Sequence, residues 1–219
     1  MVVVAPHPDD EVLGFGGLMQ LVAAQGNPVL LIAVTDGEAS HPDSTLWPAA
    51  RLLQMRPMET SFALDTLGMP SVQVVRLGLR DGAVSGNVPA LCATLRHLFT
   101  EDDVVFVPWI LDGHPDHEAC NLASSAAAAA CGARQVETPI WGWHWATPAA
   151  AQMPWQRARK LILPPLIRDR KSCAVQCYLS QIEPDASTGR QPILGANTLA
   201  HLLRSYEVYF FGEDFHFGH

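Results

Sequence analysis

"VVVAPHPDDEVLGFGGLMQLVAAQG" (residues 2–26) opens the chain and decides how the rest is read. Its first four residues, Val2 to Ala5, are apolar without alternation, the pattern of a strand buried on both faces in a parallel sheet. "GGLMQLVAAQG" (16–26) reads as a helix that stops at Gly26. Between strand and helix stand His7, Asp9, Asp10 and Glu11. Three adjacent carboxylates repel one another, and burying them is costly unless they are paired or hold a cation.

The strand–helix alternation continues. "PVLLIAV" (28–34), "VQVVRL" (72–77) and "DVVFVPW" (103–109) read as the second, third and fourth strands. Residues 44–68 are mostly helical, with a kink or a split into two helices expected at Pro57. Residues 88–99 form a helix with Asn87 as its N-cap, and 115–132 one that starts with Pro and acids and ends at Gly132. The predicted fold class is α/β: a Rossmann-like parallel sheet with helices on both faces and a less regular C-terminal part. The chain reads as a single domain, 1–219, with a core of about 1–135 and C-terminal elements from about 136 that complete the pocket. In such open sheets ligands bind beyond the carboxyl ends of the strands. The polar segments after the four strands, the first being His7–Glu11, are "TDGEAS" (35–40), "GLRDG" (78–82) and "LDGHPDHE" (111–118), so they converge on one crevice.

Bulk properties narrow the partners. At 219 residues and 48% hydrophobic the chain can bury a sizeable core. A net charge of −8 without a dense basic stretch argues against nucleic acid. No run approaches the roughly 18 apolar residues that span a bilayer. Met1 leads into "VVVA" with no basic region, so no signal peptide is expected. The five cysteines lack a CxxC pair and read as reduced thiols, which implies a cytoplasmic protein. His216 and His219 read as solvated tail.

The fourth polar segment adds His114, Asp116 and His117 to the first one's His7 and carboxylates. Imidazole and carboxylate ligands suit zinc, and catalytic zinc usually keeps three protein ligands and an open position. Asp116 reads as a helix cap or as the partner of a histidine ring, and Glu11 as a helix-start residue or support for a ligand. Two other chemistries compete. A two-His one-carboxylate iron oxygenase fits the residue types but not the α/β alternation. A dinucleotide site at "GFGG" (14–17) would set Asp9, Asp10 and Glu11 where pyrophosphate must bind.

"PHPDDE" (6–11) together with "HPDH" (114–117) resembles the PIG-L/LmbE-type metal-dependent de-N-acetylases. "TDGEAS" (35–40), "RPMETSFALDTLG" (56–68), "LRDG" (79–82), "KSCAVQCYLSQ" (171–181) and "YEVYF" (206–210) extend the resemblance over nearly the whole chain. It implies a zinc-dependent hydrolase that removes the acetyl group of an N-acetylated amino sugar or its conjugate with metal-activated water. By motif position it implies His7, Asp10 and His117 as metal ligands, with Fe2+ able to occupy the same site. It implies Asp9 as general base, a protonated His114 that stabilises the tetrahedral intermediate, and Arg56 and Asp81 as sugar contacts. A small-molecule acetamido-sugar conjugate is the implied partner, and a homo-oligomer is allowed. "WGWHWATP" (141–148) belongs to no motif general to the family; its tryptophans and His144 read as a contact to this subgroup's own substrate or as packing.

Overall fold

The computed structural model describes residues 1–147 and 150–212. His216, His219 and Pro148 lie outside the described residues. The first half runs β1 (Val2–Ala5), α1 (Asp10–Ala24), β2 (Leu30–Thr35), α2 (Ala49–Thr66), β3 (Gln73–Leu79), α3 (Val88–Leu95), β4 (Val104–Pro108), α4 (Pro115–Cys131) and β5 (Arg134–Thr138). The second half adds α5 (Gly142–Trp145), β6 (Ala158–Ile162), α6 (Pro165–Val175), α7 (Leu179–Ile182), α8 (Ala196–Leu202) and β7 (Tyr206–Phe211).

Among the described residues the seven strands share one sheet, in the order β3-β2-β1-β4-β5-β7-β6. The first five pair in parallel, while β7 runs antiparallel to both β5 and β6. The α/β expectation therefore holds, and the irregular C-terminal part extends the same sheet. Strand β1 is buried on both faces as its composition requires. Val3 and Ala5 face a core built with Phe15, Leu64 and Tyr178; Val2 and Val4 face another built with Leu91, Leu95 and Ala123. The strand order reverses at β1 and β4, which opens a crevice at their carboxyl ends.

Several local expectations are corrected. Helix α1 starts at Asp10 rather than at residue 16, so Asp10 and Glu11 occupy its first turn, where acids suit the helix dipole. Helix α2 is one uninterrupted element with Pro57 inside it, and it starts at Ala49 rather than 44. Leu52 before the proline and Ala63 and Leu64 after it are all buried, so packing on both sides holds the helix through the position that lacks an N–H. Helix α3 ends at Leu95, and Asn87 does not cap it: its side-chain amide donates to the Ala83 carbonyl at 2.8 Å. Helix α4 follows the sequence reading, with Pro115 in the first turn and Gly132 left-handed after the last.

The "GFGG" glycines answer to packing. A Cβ at Gly14 would lie 2.8 Å from Ile140, and one at Gly17 2.5 Å from Leu163. Beside them the Lys171–Glu207 ion pair, 2.6 Å long and fully buried, joins α6 and β7 to α1. Glu207 also accepts the N–H groups of Gly17 and Leu18 and the Tyr209 hydroxyl, and Lys171 donates to the Leu13 carbonyl. Each charge is thus hydrogen-bonded as well as paired, the condition under which a buried ion pair is tolerated.

Candidate active site

The tight turn from β1 into α1 and the segment from β4 into α4 meet at the crevice. His7 and Asp10 come from the first and His117 from the first turns of α4. His7 Nδ1 lies 3.2 Å from Asp10 Oδ2 and 3.3 Å from His117 Nε2, and His117 Nε2 lies 3.3 Å from Asp10 Oδ2. The three atoms form a nearly equilateral triangle. Zinc bonds of about 2.0–2.1 Å in a tetrahedral shell put donor atoms about 3.3 Å apart.

The far side of each ring explains why these atoms face inward. His117 Nδ1 is 2.7 Å from Asp112 Oδ2, and His7 Nε2 is 3.2 Å from Asp81 Oδ1 and 3.4 Å from Asp116 Oδ2. With those nitrogens donating to carboxylates, both imidazoles turn a lone pair towards Asp10. Three lone pairs converge, an arrangement that needs protons or a cation between them. Protons are the metal-free answer. Burial disfavours charge on His117, but Asp10 and Asp112 outweigh it and lift its pKa to about 9. His7 follows the same balance: burial is opposed by Asp10, Asp116 and Asp81, and its pKa ends well above the ordinary imidazole value. The donor set therefore fits a divalent cation that would replace those protons.

Asp9 stands beside the triangle in a strained backbone, with φ 123° and ψ −32°. Such a conformation in a non-glycine residue costs on the order of 1–3 kcal/mol and persists only where neighbours over-determine it. Here Glu11 accepts the Asp9 N–H at 2.9 Å, and Tyr178 in turn donates to Glu11 at 2.7 Å. Arg56 reaches Asp9 Oδ2 at 3.2 Å. Burial, with Asp10 and Glu11 adding to it and Arg56 opposing, raises the Asp9 pKa to about 8.

His114 is the N-cap of α4, and its Nδ1 accepts the Asp116 N–H at 3.2 Å. That nitrogen then carries no proton, and burial, with the neighbouring His117 and His7, lowers the His114 pKa to about 4. The protonated His114 implied by the resemblance is thus replaced by a neutral ring with its proton on Nε2. Nitrogen-15 NMR should show this tautomer throughout pH 6–8, and a titration midpoint at or above 6.5 would contradict it.

The remaining sequence candidates divide by contact. Asp116 is fully buried and accepts the Gly82 and Val84 N–H groups at 2.7 and 3.1 Å while facing His7, so it orients a histidine ring. Asp81 faces His7 and accepts the Ala39 N–H at 2.8 Å; burial opposes its ionisation, but these partners hold its pKa at about 2. Arg56 lines the crevice yet is buried, with its terminal nitrogens donating to the carbonyls of Gly37 and Pro8 besides Asp9. Its neighbour Glu59 accepts instead from the backbone N–H and the hydroxyl of Ser180. The tryptophan-rich segment splits. Trp141, stacked on His144 with ring centroids 4.2 Å apart, lines the cavity; Trp143 lies under Arg204; Trp145 stacks on Trp109 and donates to the Asp112 carbonyl.

Asp112 was not singled out by the sequence. Fully buried, it orients His117 and also accepts the N–H groups of Ile140, Trp141 and Gly142 at 2.8–3.0 Å. Its one sequence signal is the position at the mouth of β4, five residues before His117, a spacing with no helical meaning. The cavity over the site holds about 370 Å³, within the range usual for small-molecule pockets. Its floor is the acid–histidine cluster, and elements of the C-terminal part close its sides through Gln181, Ile193, Leu194 and Leu202.

A doubly wound sheet with a histidine–carboxylate cluster at its switch point defines the class, and comparison with known proteins places the chain within it. The model of the GlcNAc-PI de-N-acetylase (PIG-L) family matches residues 2–128, and the chain belongs to that family. It is 27% identical over 173 residues to the 1D-myo-inositol 2-acetamido-2-deoxy-alpha-D-glucopyranoside deacetylase of Rhodococcus erythropolis, covering 68% of this chain and 58% of that one. The chain therefore spans a little over half the length of that curated relative. The crystal structure of A40926 pseudoaglycone deacetylase Dbv21 superposes with a TM-score of 0.72 at 21% identity, covering 95% of each chain. The 4-carboxy-2-hydroxymuconate hydratase GalB of Pseudomonas putida superposes with a TM-score of 0.61 at 20% identity, covering 82% of this chain and 78% of that one. At these identities the likeness shows the fold alone, and this fold carries both a deacetylase and a hydratase.

Proposed function

We propose that the chain is a metal-dependent amide hydrolase that removes the acetyl group from the nitrogen of an amino sugar or its conjugate, with His7, Asp10 and His117 holding the cation. The observation that carries this reading is the inward-facing triangle of three lone pairs flanked by an acid and a neutral imidazole. The imidazole–carboxylate set favours zinc, with iron(II) acceptable in the same shell. When bound, the cation supplies Lewis-acid polarisation and makes water acidic enough to be activated near neutral pH.

The chain's own groups do the rest. Asp9 takes a proton from the attacking water as a C–O bond forms at the acetamide carbonyl. The Nε2–H of His114 donates to the oxygen that becomes negative. As the C–N bond breaks, Asp9 returns its proton to the departing nitrogen, leaving acetate and a free amine. Asp81, Asp112 and Asp116 keep the two ring ligands aimed, and Arg56 keeps Asp9 in place. Five unpaired cysteines support residence in a reducing compartment such as the cytoplasm. Among the described residues no helix is long and apolar enough to cross a membrane.

The test is a panel of N-acetylated amino sugars and glycosides offered to zinc-loaded protein, with released amine and acetate both quantified. Equal amounts of the two, abolished by chelation and restored by zinc or iron(II), are expected. Failure to release amine from any member would overturn the reading.

A further inference from the structure

We infer that the amino sugar carries an uncharged, apolar aglycone, bound against the apolar part of the cavity wall. The inference rests on the function proposed above and specifies its substrate class. Leu13, Ile140, Ile193, Leu194 and Leu202 form that wall, and Gln181 is the neutral polar group beside it. The amide of Gln181 is itself engaged, donating to Ser180 Oγ at 2.9 Å. An aglycone next to the reacting sugar therefore meets methyl and methylene groups.

The charge distribution points the same way. Among the described residues that line the cavity, Arg56 has the sole permanent positive charge. Its terminal nitrogens bond Pro8, Gly37 and Asp9, and although its Nε–H has no partner the whole side chain is buried, so it presents no exposed fork to a carboxylate or phosphate on the aglycone. His144, which lines the cavity and stacks on Trp141, has its pKa lowered by burial and offers no cation near neutrality. The floor carries Asp9, Asp10 and Asp81, which Arg56 and a single divalent ion at most balance, and the buried Asp112 and Asp116 behind the histidine rings add negative charge, so no net positive field faces an aglycone. An anionic aglycone would be desolvated on an apolar wall without a partner, which is costly. An alkyl or aryl group would gain from burial on it.

The test compares octyl and carboxyethyl glycosides of N-acetylglucosamine, in both anomeric configurations, as substrates of the zinc-loaded protein. Binding of the two deacetylated products is measured separately by calorimetry. The octyl glycoside should have at least about tenfold higher kcat/KM, and its product should bind tighter by a similar factor. Ile193 is only half-buried in the segment before α8, so Ile193→Lys should fold, and it should narrow or reverse the preference. Equal rates, or preference for the carboxyethyl glycoside, would overturn the inference and leave the proposed function intact. Tight binding of the octyl product without hydrolysis of either glycoside would support the apolar wall and overturn the proposed function. Neither hydrolysis nor product binding would overturn both.

Discussion

Asp9→Asn will retain the metal and lose about 10²–10⁴ in kcat, the usual worth of a positioned general base. Asparagine matches the carboxylate in size but cannot accept a proton. The backbone should tolerate the change, because Asn has nearly the shape of Asp and the bond to Glu11 runs through the Asp9 N–H. Arg56 keeps two carbonyl partners when the charge at position 9 is removed. Asp10→Ala provides the contrast: it removes the corner shared by both histidines, so metal and activity should fall together. Zinc content measured beside kcat separates the two cases. A variant Asp9→Asn that hydrolyses an accepted substrate at near wild-type kcat would eliminate Asp9 as the base.

His7→Ala and His117→Ala will each abolish tight metal binding, and Asp112→Asn will weaken it by about 10–100-fold by releasing the His117 ring. Metal uptake should also release protons, because the metal-free cluster holds them where the cation would sit. With the His117 pKa near 9 and that of His7 also raised, zinc added at pH 7 in weak buffer should acidify the solution. Stability provides the matching signature. A histidine whose pKa rises on folding stabilises fully below its unfolded value of about 6.5, and that contribution disappears as pH passes the folded value. Asp9, raised to about 8 by burial, acts in the same direction, because ionising it costs the folded state more. Metal-free protein should therefore melt at lower temperature as pH rises from about 6.5 to 9, and zinc should flatten the slope. A slope of the opposite sign in metal-free protein, or full zinc stoichiometry in both histidine variants, would refute the ligand set.

The half of the fold that builds the crevice was legible because its signals are local. Unbroken apolar runs specify two-sided burial at β1, β2 and β4, and the Pro115 and Gly132 punctuation fixes α4 almost to the residue. The helix through Pro57 was not legible, since the residues that hold it continuous belong to packing with later elements. Asn87 misled for a related reason: a side chain suited to capping found a carbonyl acceptor instead. At the candidate site, the convergence of His7, Asp10 and His117 was readable from residue type and motif. Of their supports, Asp116 was readable as the partner of a histidine ring, but the tasks of Asp112 and Asp81 were not, because they act across loops whose curvature no spacing encodes. The His114 tautomer depends on a single backbone N–H, which only the turn into α4 delivers.

The buried pair of Lys171 with Glu207 bears on how this scaffold can be remodelled. The segment matched by the family model stops at residue 128, and it contains every residue proposed to hold metal or move a proton. It does not contain Lys171 and Glu207, which grip the middle of α1, or Tyr178, which steadies Glu11 behind Asp9. The same distal stretch supplies Ile193, Leu194 and Leu202 to the cavity wall. Anyone grafting a foreign C-terminal third onto this chain to alter selectivity would also be exchanging the clamp on the turn that carries Asp9 and Asp10. A viable graft has to transplant Lys171, Tyr178 and Glu207 in register and vary only the stretch between α7 and α8.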